Sequence, residues 1–451
     1  MGLSAWKQYR QSRWALRVNP SSGNLHPTEA YVIRDGHVSH YAPREHALER
    51  RAMLETSAWT SLGPGFLVAL TSIHWREAWK YGERAFRYCQ HDAGHAIGAL
   101  RMAAALLGWK LTLLPRWSDE QLAAVLGLDR DADFVGVERE EPECIAVVTP
   151  ADVSPWIDAD PAALVDAARH ASWRGVANQL SGGHVEWPII DEVAKATRYG
   201  GAGGAGMAGR ASEARSNVSV TRLPPPALPA SPALGARRII LQRRSAVAFD
   251  GRSTLSRETF VSMLAWLQPH APPWDAIHWS PHIHLLLFVH RVDGVTPGVY
   301  AYPRDPVVAE EWRAAMRPEF LWEDAGDGLS LLIPTDVTWV ANRASCDQDI
   351  AADGFFSLGM IARLESSVRA RGPWFYRRLF WESGLLGQVL YLEAEAAGAR
   401  STGIGCFYDD AVHDMAGLSG QEWQSVYHFS MGMPVDDDRL TTETGYEWER
   451  T

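Results

Sequence analysis

Residues 86–128 read FRYCQHDAGHAIGALRMAAALLGWKLTLLPRWSDEQLAAVLGL, and residues 376–418 read YRRLFWESGLLGQVLYLEAEAAGARSTGIGCFYDDAVHDMAGL. The two stretches align without a gap at an offset of 290 positions, 376 less 86. Arg87 falls on Arg377, Gly94 on Gly384, Leu100 on Leu390, Ala104 on Ala394 and Gly108 on Gly398. Thr112 then falls on Thr402, Asp119 on Asp409, and Gly127 and Leu128 on Gly417 and Leu418. A period this long is that of a duplicated domain, since solenoid units run about 20–50 residues. Two like domains on one chain predict a pseudo-symmetric pair, packed as a homodimer packs. What such a pair holds between its halves becomes the functional question.

The length of 451 residues suits two domains and a linker better than one core. A hydrophobic fraction of 46% and a charged fraction of 22% are those of a soluble globular protein. Twenty tryptophans predict broad aromatic contact surfaces within the core. A net charge of −11 argues against a nucleic-acid partner, which calls for a basic patch. No apolar run approaches the roughly 20 residues that span a bilayer, so no membrane partner is expected. The opening MGLSAWKQYRQSRW lacks the apolar core of a secretory signal, so a cytoplasmic location is expected. Cys89, Cys144, Cys346 and Cys406 show no CxxC spacing, which points neither to a zinc ribbon nor to a disulfide framework.

The first copy is expected over residues 1–175, a linker rich in Gly, Ala and Pro over 176–236, and the second copy over 237–451. GGAGGAGMAGRASEARS reads as flexible and LPPPALPASPALG as extended, together a long tether. AYVIRDG, FLVALTSI and CIAVVTP read as strands of the first copy, and HIHLLLFVHRV and GVYAYP as a strand pair of the second. Ala96, Leu100, Ala103 and Leu107 recur at helical spacing, predicting a helix over about 92–107. Leu385, Val389, Leu392 and Ala396 do the same over about 382–397. Short strands around one long helix in each copy give an α+β pattern.

Four segments can carry chemistry. Arg17-Val18-Asn19-Pro20-Ser21-Ser22-Gly23-Asn24-Leu25-His26-Pro27 stands just before a strand, where small hydroxyl residues beside Pro and Gly make a tight loop with exposed donors. A planar heteroaromatic ring can lie against such a backbone, although an ordinary polar turn has the same composition. Arg243-Arg244-Ser245 offers two guanidiniums and a hydroxyl, suited to a phosphate. Gly403-Ile404-Gly405 follows the second long helix, and paired glycines permit close backbone approach to a ligand. The first copy has Leu113 and Pro115 at those places. His91 and His95 share a helix face as in a zinc protease motif, but Asp92 stands where that motif needs Glu and no third ligand is spaced to help. No metal is expected there. Asp347-Gln348-Asp349 reads as a solvated loop or cap.

NPSSGNLHP, RRSAVAFD, YRRLFWESGLLGQVLYLEAEAAG, GIGCFYDD and GMPVDDDRL together resemble the nitroreductase family of flavoproteins, in tandem form. The branch they look most like contains the SagB-type, thiazole/oxazole-forming peptide dehydrogenases. The resemblance implies two halves interlocked through long central helices, with mixed, mainly antiparallel sheets, and FMN at the interface. By position, Arg243, Arg244 and Ser245 match the phosphate-binding segment, and Pro20, Ser21, Ser22 and Asn24 the loop that meets the ring from the other subunit. Gly403 and Gly405 match the loop beside the ring, and Arg439 resembles a C-terminal phosphate contact.

Two departures shape the expectation. Val247 stands where the family usually has Lys or Arg, and the second copy has HWSPHIHLLLFV in place of a Pro-Ser-Ser loop. The start of the first copy shows no Arg-Arg-Ser segment. These losses are complementary, so one composite FMN site and one degenerate site are expected in an intrachain pseudo-dimer. The implied activity is that of an oxidoreductase acting on a small-molecule or peptide substrate, with NADH or NADPH as a possible electron donor. Two rival readings are an azoline-to-azole peptide dehydrogenase and a flavin-free pseudoenzyme that serves as an interaction module. No acid or base stands out; Tyr376, Arg377, His91 and His95 are candidates because they flank the interface helices.

Overall fold

The computed structural model describes residues 1–55, 63–201, 235–269 and 272–450, with 449 and 450 described by backbone alone. The duplication is realised element by element. The first central helix spans Ala85–Leu106 and the second Phe375–Ala396, each of 22 residues, at the offset that the sequences share. Both begin seven residues before the periodicity predicts, because their first turns carry aromatics (Phe86, Tyr88; Phe375, Phe380) that bury on several sides.

The helices cross at the repeated glycines. A Cβ on Gly94 would stand 2.3 Å from the Trp381 carbonyl oxygen, and one on Gly384 would stand 2.2 Å from that of His91. Only glycine lets two helix backbones approach so closely. Each end of the crossing is tied by the repeated charges, with Arg87 on Asp409 at 2.7 Å and Arg377 on Asp119 at 2.6 Å. Every one of these pairs joins one copy to the other, so the aligned residues are also the interface residues.

Two N-terminal strands, β1 (Leu3–Tyr9) and β2 (Ser12–Arg17), precede the first sheet. That sheet contains β3 (Thr28–Arg34), β4 (His37–Ala42), β5 (Ala47–Met53), β6 (Phe66–Ser72), β7 (Lys110–Leu113) and β8 (Glu141–Thr149). The second contains β9 (Ile283–Val289), β10 (Gly298–Tyr302), β11 (Glu323–Gly326), β12 (Leu329–Pro334), β13 (Phe356–Arg363), β14 (Arg400–Ile404) and β15 (Trp423–Gly432). The strand orders are β5-β4-β3-β6-β8-β7 and β11-β12-β10-β9-β13-β15-β14. Their last five positions correspond one to one, and each pairing between neighbouring strands is antiparallel.

Alternation sets the layers. On β9, Leu285 and Leu287 face the central helices, while Leu286 and Phe288 face an outer layer with Trp312 and Val412. The first sheet does the same, with Val68 and Leu70 inward and Leu67 and Ala69 outward against Leu122 and Leu164. The result is helix, sheet, helix pair, sheet, helix. A last strand, β16 (Thr441–Thr444), returns from the second copy to pair with β1, pairing Ala5 with Thr444.

Part of the expected linker, 202–234, lies outside the described residues. The stretch before it is folded onto the first copy, where the helix Pro188–Ala196 buries Ile190 against Ala85 and Phe86. The Tyr199 backbone N–H donates to Asp119 at 2.9 Å. The compositional boundary at 175 therefore moves to 199 or beyond, because the Gly- and Pro-containing run SGGHVEWP hides an amphipathic helix start.

Candidate functional site

The helix Ala236–Gln242 delivers Arg243, Arg244 and Ser245 to the edge of β14. Ser245 bridges Ser401 there, and the Ala246 N–H donates to the Ser401 carbonyl at 3.0 Å. The Ser245 hydroxyl lies 2.8 Å from the Tyr391 hydroxyl, which also accepts from the Gly403 N–H at 2.9 Å. One phenol of the second central helix thus joins the expected phosphate segment to the expected ring loop.

Arg243 reaches into the other copy. Its Nε donates to the Val18 carbonyl at 2.8 Å and its Nη2 to that of Arg17 at 3.2 Å, immediately before the loop of residues 20–24. The guanidinium lies over the Tyr391 ring at 4.9 Å. Nη1 of Arg243 is buried with no partner. The Arg17 guanidinium makes no hydrogen bond or ion pair with a described residue, and burial pushes its pKa down. Burial, then the charge of Arg17, likewise keeps His26 neutral.

Within the loop, Pro20 is buried, Ser21 and Ser22 half-buried, and Gly23 and Asn24 take left-handed φ of 58° and 60°. The Ser21 hydroxyl accepts from the His26 N–H at 2.8 Å and lies 3.3 Å from Glu77. Asn24 donates to the Ala15 carbonyl at 2.8 Å, fixing the loop to β2. Beneath the loop stand two carboxyls that sequence reasoning missed as a pair, Glu77 and Asp92. Burial first, then Asp92, pushes the Glu77 carboxyl up; burial pushes Asp92 up against the opposing pulls of Ser21 and Arg17. Oε2 of Glu77 and Oδ2 of Asp92 are buried and unpartnered. Burial thus favours the protonated form of both carboxyls.

The glycine loop is clamped by the first copy, because Arg84 donates to the Gly405 carbonyl at 3.1 Å and to that of Phe407 at 3.2 Å. Both glycines are required sterically. A Cβ on Gly403 would stand 2.0 Å from the Tyr427 hydroxyl, and one on Gly405 2.2 Å from the Tyr88 ring. Tyr88 and Tyr427 pack against the glycine loop, and His91 stacks on Tyr427 with ring centres 4.0 Å apart. Burial pushes His95 down to about 3, and its Nε2 lies 3.2 Å from the Tyr427 hydroxyl. His91 Nε2 lies 3.0 Å from the Val426 carbonyl, so each imidazole of the HDAGH run serves a protein group.

Not every expected residue joins the cluster. Arg244 spends Nη1 on the carbonyls of Leu241 at 2.8 Å and Arg243 at 2.6 Å, capping its own helix. Arg439 is exposed, with its guanidinium on Asp437 at 2.8 Å and over Tyr9. Arg377 is taken by Asp119 and Glu143, and Tyr376 accepts from Arg87 at 3.2 Å, which makes both interface residues.

The symmetry-related cleft is closed. Arg101, the counterpart of Tyr391, holds Asp275 through Nε at 2.8 Å and Nη2 at 2.7 Å. His278 bonds the carbonyl of Leu113, the counterpart of Gly403. Glu382, the counterpart of Asp92, pairs with Arg304 and accepts from the backbone N–H groups of His282 and Ile283 at 3.1 Å and 3.2 Å.

The residues around Arg243 have the chemistry to meet a phosphate-bearing group. A buried guanidinium N–H without a partner costs about 1–3 kcal/mol or more unless something else satisfies it. Asn19 Oδ1 and Ser401 Oγ add further buried, unpartnered polar atoms at the same end.

A family model described as the nitroreductase family matches residues 7–137 and 240–433, more than half of the chain. A crystal structure of a candidate nitroreductase from Anabaena variabilis matches 96% of this chain and 86% of its own, with 20% identity and a TM-score of 0.68. A candidate nitroreductase from Exiguobacterium sibiricum, solved in complex with FMN, matches 45% of this chain and 90% of its own at 16% identity and a TM-score of 0.27. The E. coli microcin synthetase McbBCD complex, with truncated pro-MccB17 bound, matches 32% of this chain and 57% of its own at 22% identity and a TM-score of 0.27. No curated protein matches in sequence. With the family model covering both copies, the chain belongs to the nitroreductase family.

Proposed function

We propose that this chain is an FMN-dependent oxidoreductase with one composite flavin site, built by the open cleft. The observation that carries this reading is the buried, unpaired Nη1 of Arg243, whose charge acts on His26 together with that of Arg17 from the other copy. Arg17 and Arg243 would hold the phosphate, with Arg17 supplying the cation that Val247 does not. Ser245 and Tyr391 keep that segment on β14. The loop of Pro20, Ser21, Ser22 and Asn24 and the backbone at Gly403 and Gly405 would flank the ring from opposite copies. Bound FMN supplies hydride or electron transfer, the step that protein side chains do not perform. Arg84 fixes the glycine loop so that its dipoles need no reorganisation. The neutral Glu77 and Asp92 keep negative charge away from a phosphate and store protons behind Ser21.

The reading is tested by the flavin content of purified protein, measured as released FMN against chain concentration. About one FMN per chain is expected. None at all would favour the interaction module, and two would mean that the closed cleft opens.

A peptide-directed reading, azoline oxidation of the SagB type, draws on one further observation. A groove lined by Leu25, Trp75, Trp79, Leu180 and Val185 opens beside the loop. Its tryptophans suit flat or apolar side chains. Turnover of an azoline-containing peptide, compared with nitroaromatics under NADH and NADPH, distinguishes the substrate classes.

A further inference from the structure

Cys406 follows Gly405 in the loop that Arg84 clamps, and Cys346 lies 60 residues earlier in the turn after the helix Thr338–Ala344. Their Sγ atoms stand 2.8 Å apart. Several groups hold the two turns together. Gln348 Nε2 donates to the Ser345 carbonyl at 2.7 Å and to the Cys406 carbonyl at 3.0 Å. The Tyr408 hydroxyl donates to Asp347 at 3.1 Å, and Arg343 holds the same carboxylate at 2.8 Å. Cys346 and Asp347 both have a φ of 57°, a conformation that residues other than glycine rarely adopt. Cys406 is exposed and Cys346 half-buried, whereas Cys89 and Cys144 are buried.

We propose that Cys346 and Cys406 form a redox-active dithiol that closes to a disulfide by exchange with low-molecular-weight disulfides, fastening the glycine loop to the Cys346 turn. The inference does not depend on a bound flavin. Exchange begins at the exposed sulfur: the Cys406 thiolate attacks R–S–S–R, forms a mixed disulfide and releases one thiolate, which takes a proton from water. The Cys346 sulfur then attacks Cys406 Sγ, and its proton leaves with the second R–SH. The protein dithiol loses two electrons and the external disulfide becomes two thiols. Burial, followed by the neighbouring sulfur, pushes the Cys346 thiol up to about 12, which suits the resolving role and not the first attack. Closure would stiffen the segment against Tyr88 and Arg84, so the thiol poise of the surroundings would reach the cleft through one covalent bond.

The test is to equilibrate the full chain in reduced and oxidised glutathione mixtures, quench with acid, alkylate and map peptides without reduction. The expected result is a Cys346–Cys406 cross-link in oxidised buffer that reverts in reduced buffer, with Cys89 and Cys144 remaining unreactive in the folded protein. Cys346→Ser should leave Cys406 as a stable mixed disulfide with glutathione, because the resolving thiol is gone. Free thiols in fully oxidised glutathione, or separate glutathione adducts on both cysteines of the unsubstituted chain, would overturn the proposal.

Discussion

The two clefts at opposite ends of the central helix pair derive from the same repeat and have reached opposite electrostatic states. At the closed end, Arg101 is paired with Asp275 and Glu382 with Arg304. At the open end, the position of Arg101 is taken by Tyr391, which makes hydrogen bonds and carries no charge, and that of Glu382 by Asp92, which is buried without a cation on it. Leu113 and Pro115 stand in the first copy where the second has Gly403 and Gly405, which admit the Tyr427 hydroxyl and the Tyr88 ring. A duplicated frame can thus pair its charges internally at one end and leave a guanidinium N–H of Arg243 unpaired at the other. Buried polar atoms without a partner occur on Arg243, Asn19, Asp92 and Ser401 at the open end and on His282 and His284 at the closed one. Such atoms are costly unless a further group meets them.

The largest expected effect comes from swapping carboxyl for amide at the two equivalent positions. Glu382→Gln leaves Arg304 a buried cation without its partner, which costs about 3–5 kcal/mol. Asp92→Asn replaces a carboxyl that burial shifts toward its protonated form with a neutral group of the same shape, and should cost less than about 1 kcal/mol. Chemical denaturation of both variants measures the difference. Equal losses would show that Asp92 is ionised and paired in the folded protein.

The same contrast applies to the guanidiniums. Arg243→Ala should weaken FMN binding at least tenfold, since a charge-assisted phosphate contact contributes about 1.5–3 kcal/mol. Arg101→Ala should lower stability and leave FMN affinity unchanged, because Arg101 faces only Asp275 and the Trp109 carbonyl. Fluorescence titration of apo-protein with FMN separates the two. An unchanged affinity in Arg243→Ala would remove the phosphate assignment.

How far these positions could be read in advance depended on how local their cause is. The central helices, the glycine loop and the Pro-Ser-Ser turn follow from neighbours within a few residues, and the 290-residue offset made the helix pair legible as an interface. The placement of the RRS segment against Arg17 and Val18 followed from its complementarity to the missing motifs. Arg17, Glu77 and the Cys346 and Cys406 contact were invisible, because each acquires its meaning from a group brought near by the tertiary fold. Arg244 bonds the Leu241 carbonyl and Arg439 meets Asp437, contacts that their motifs did not announce.

A smaller effect concerns pH. Glu77 and Asp92 have folded pKa values above their unfolded ones, so the folded state binds more protons. Their contribution to stability is full below the unfolded carboxyl value, about 4, and declines as pH rises through the raised folded values. Glu77→Gln removes one such group. Its stability relative to the unsubstituted protein should rise by about 1–2 kcal/mol between about pH 5 and pH 9. Urea melts at both pH values supply the measurement, and a relative fall would mean that Glu77 is ionised beneath the loop.

Val247→Lys is the smallest expected change and the sharpest question about the open cleft. Val247 occupies the position where the family usually places a cation, yet its side chain is 81% exposed. Arg17 ends β2 in the other copy, and Arg243 donates to its carbonyl and to that of Val18. A lysine added at an exposed position gains only the Coulomb attraction of a solvated pair, about 0.2–1 kcal/mol, and pays side-chain entropy to hold it. FMN affinity should therefore change less than about fivefold, and any gain should vanish as salt rises and the Debye length shrinks. Titrations at low and high salt, with Arg17→Ala alone and combined with Val247→Lys, decide between the two cations. If Val247→Lys restores the affinity that Arg17→Ala loses, the two positions face one phosphate and the cation has only moved between copies. If Val247→Lys tightens binding tenfold with Arg17 in place, Arg17 is not the phosphate's cation, and the open cleft is incomplete where it was read as complementary.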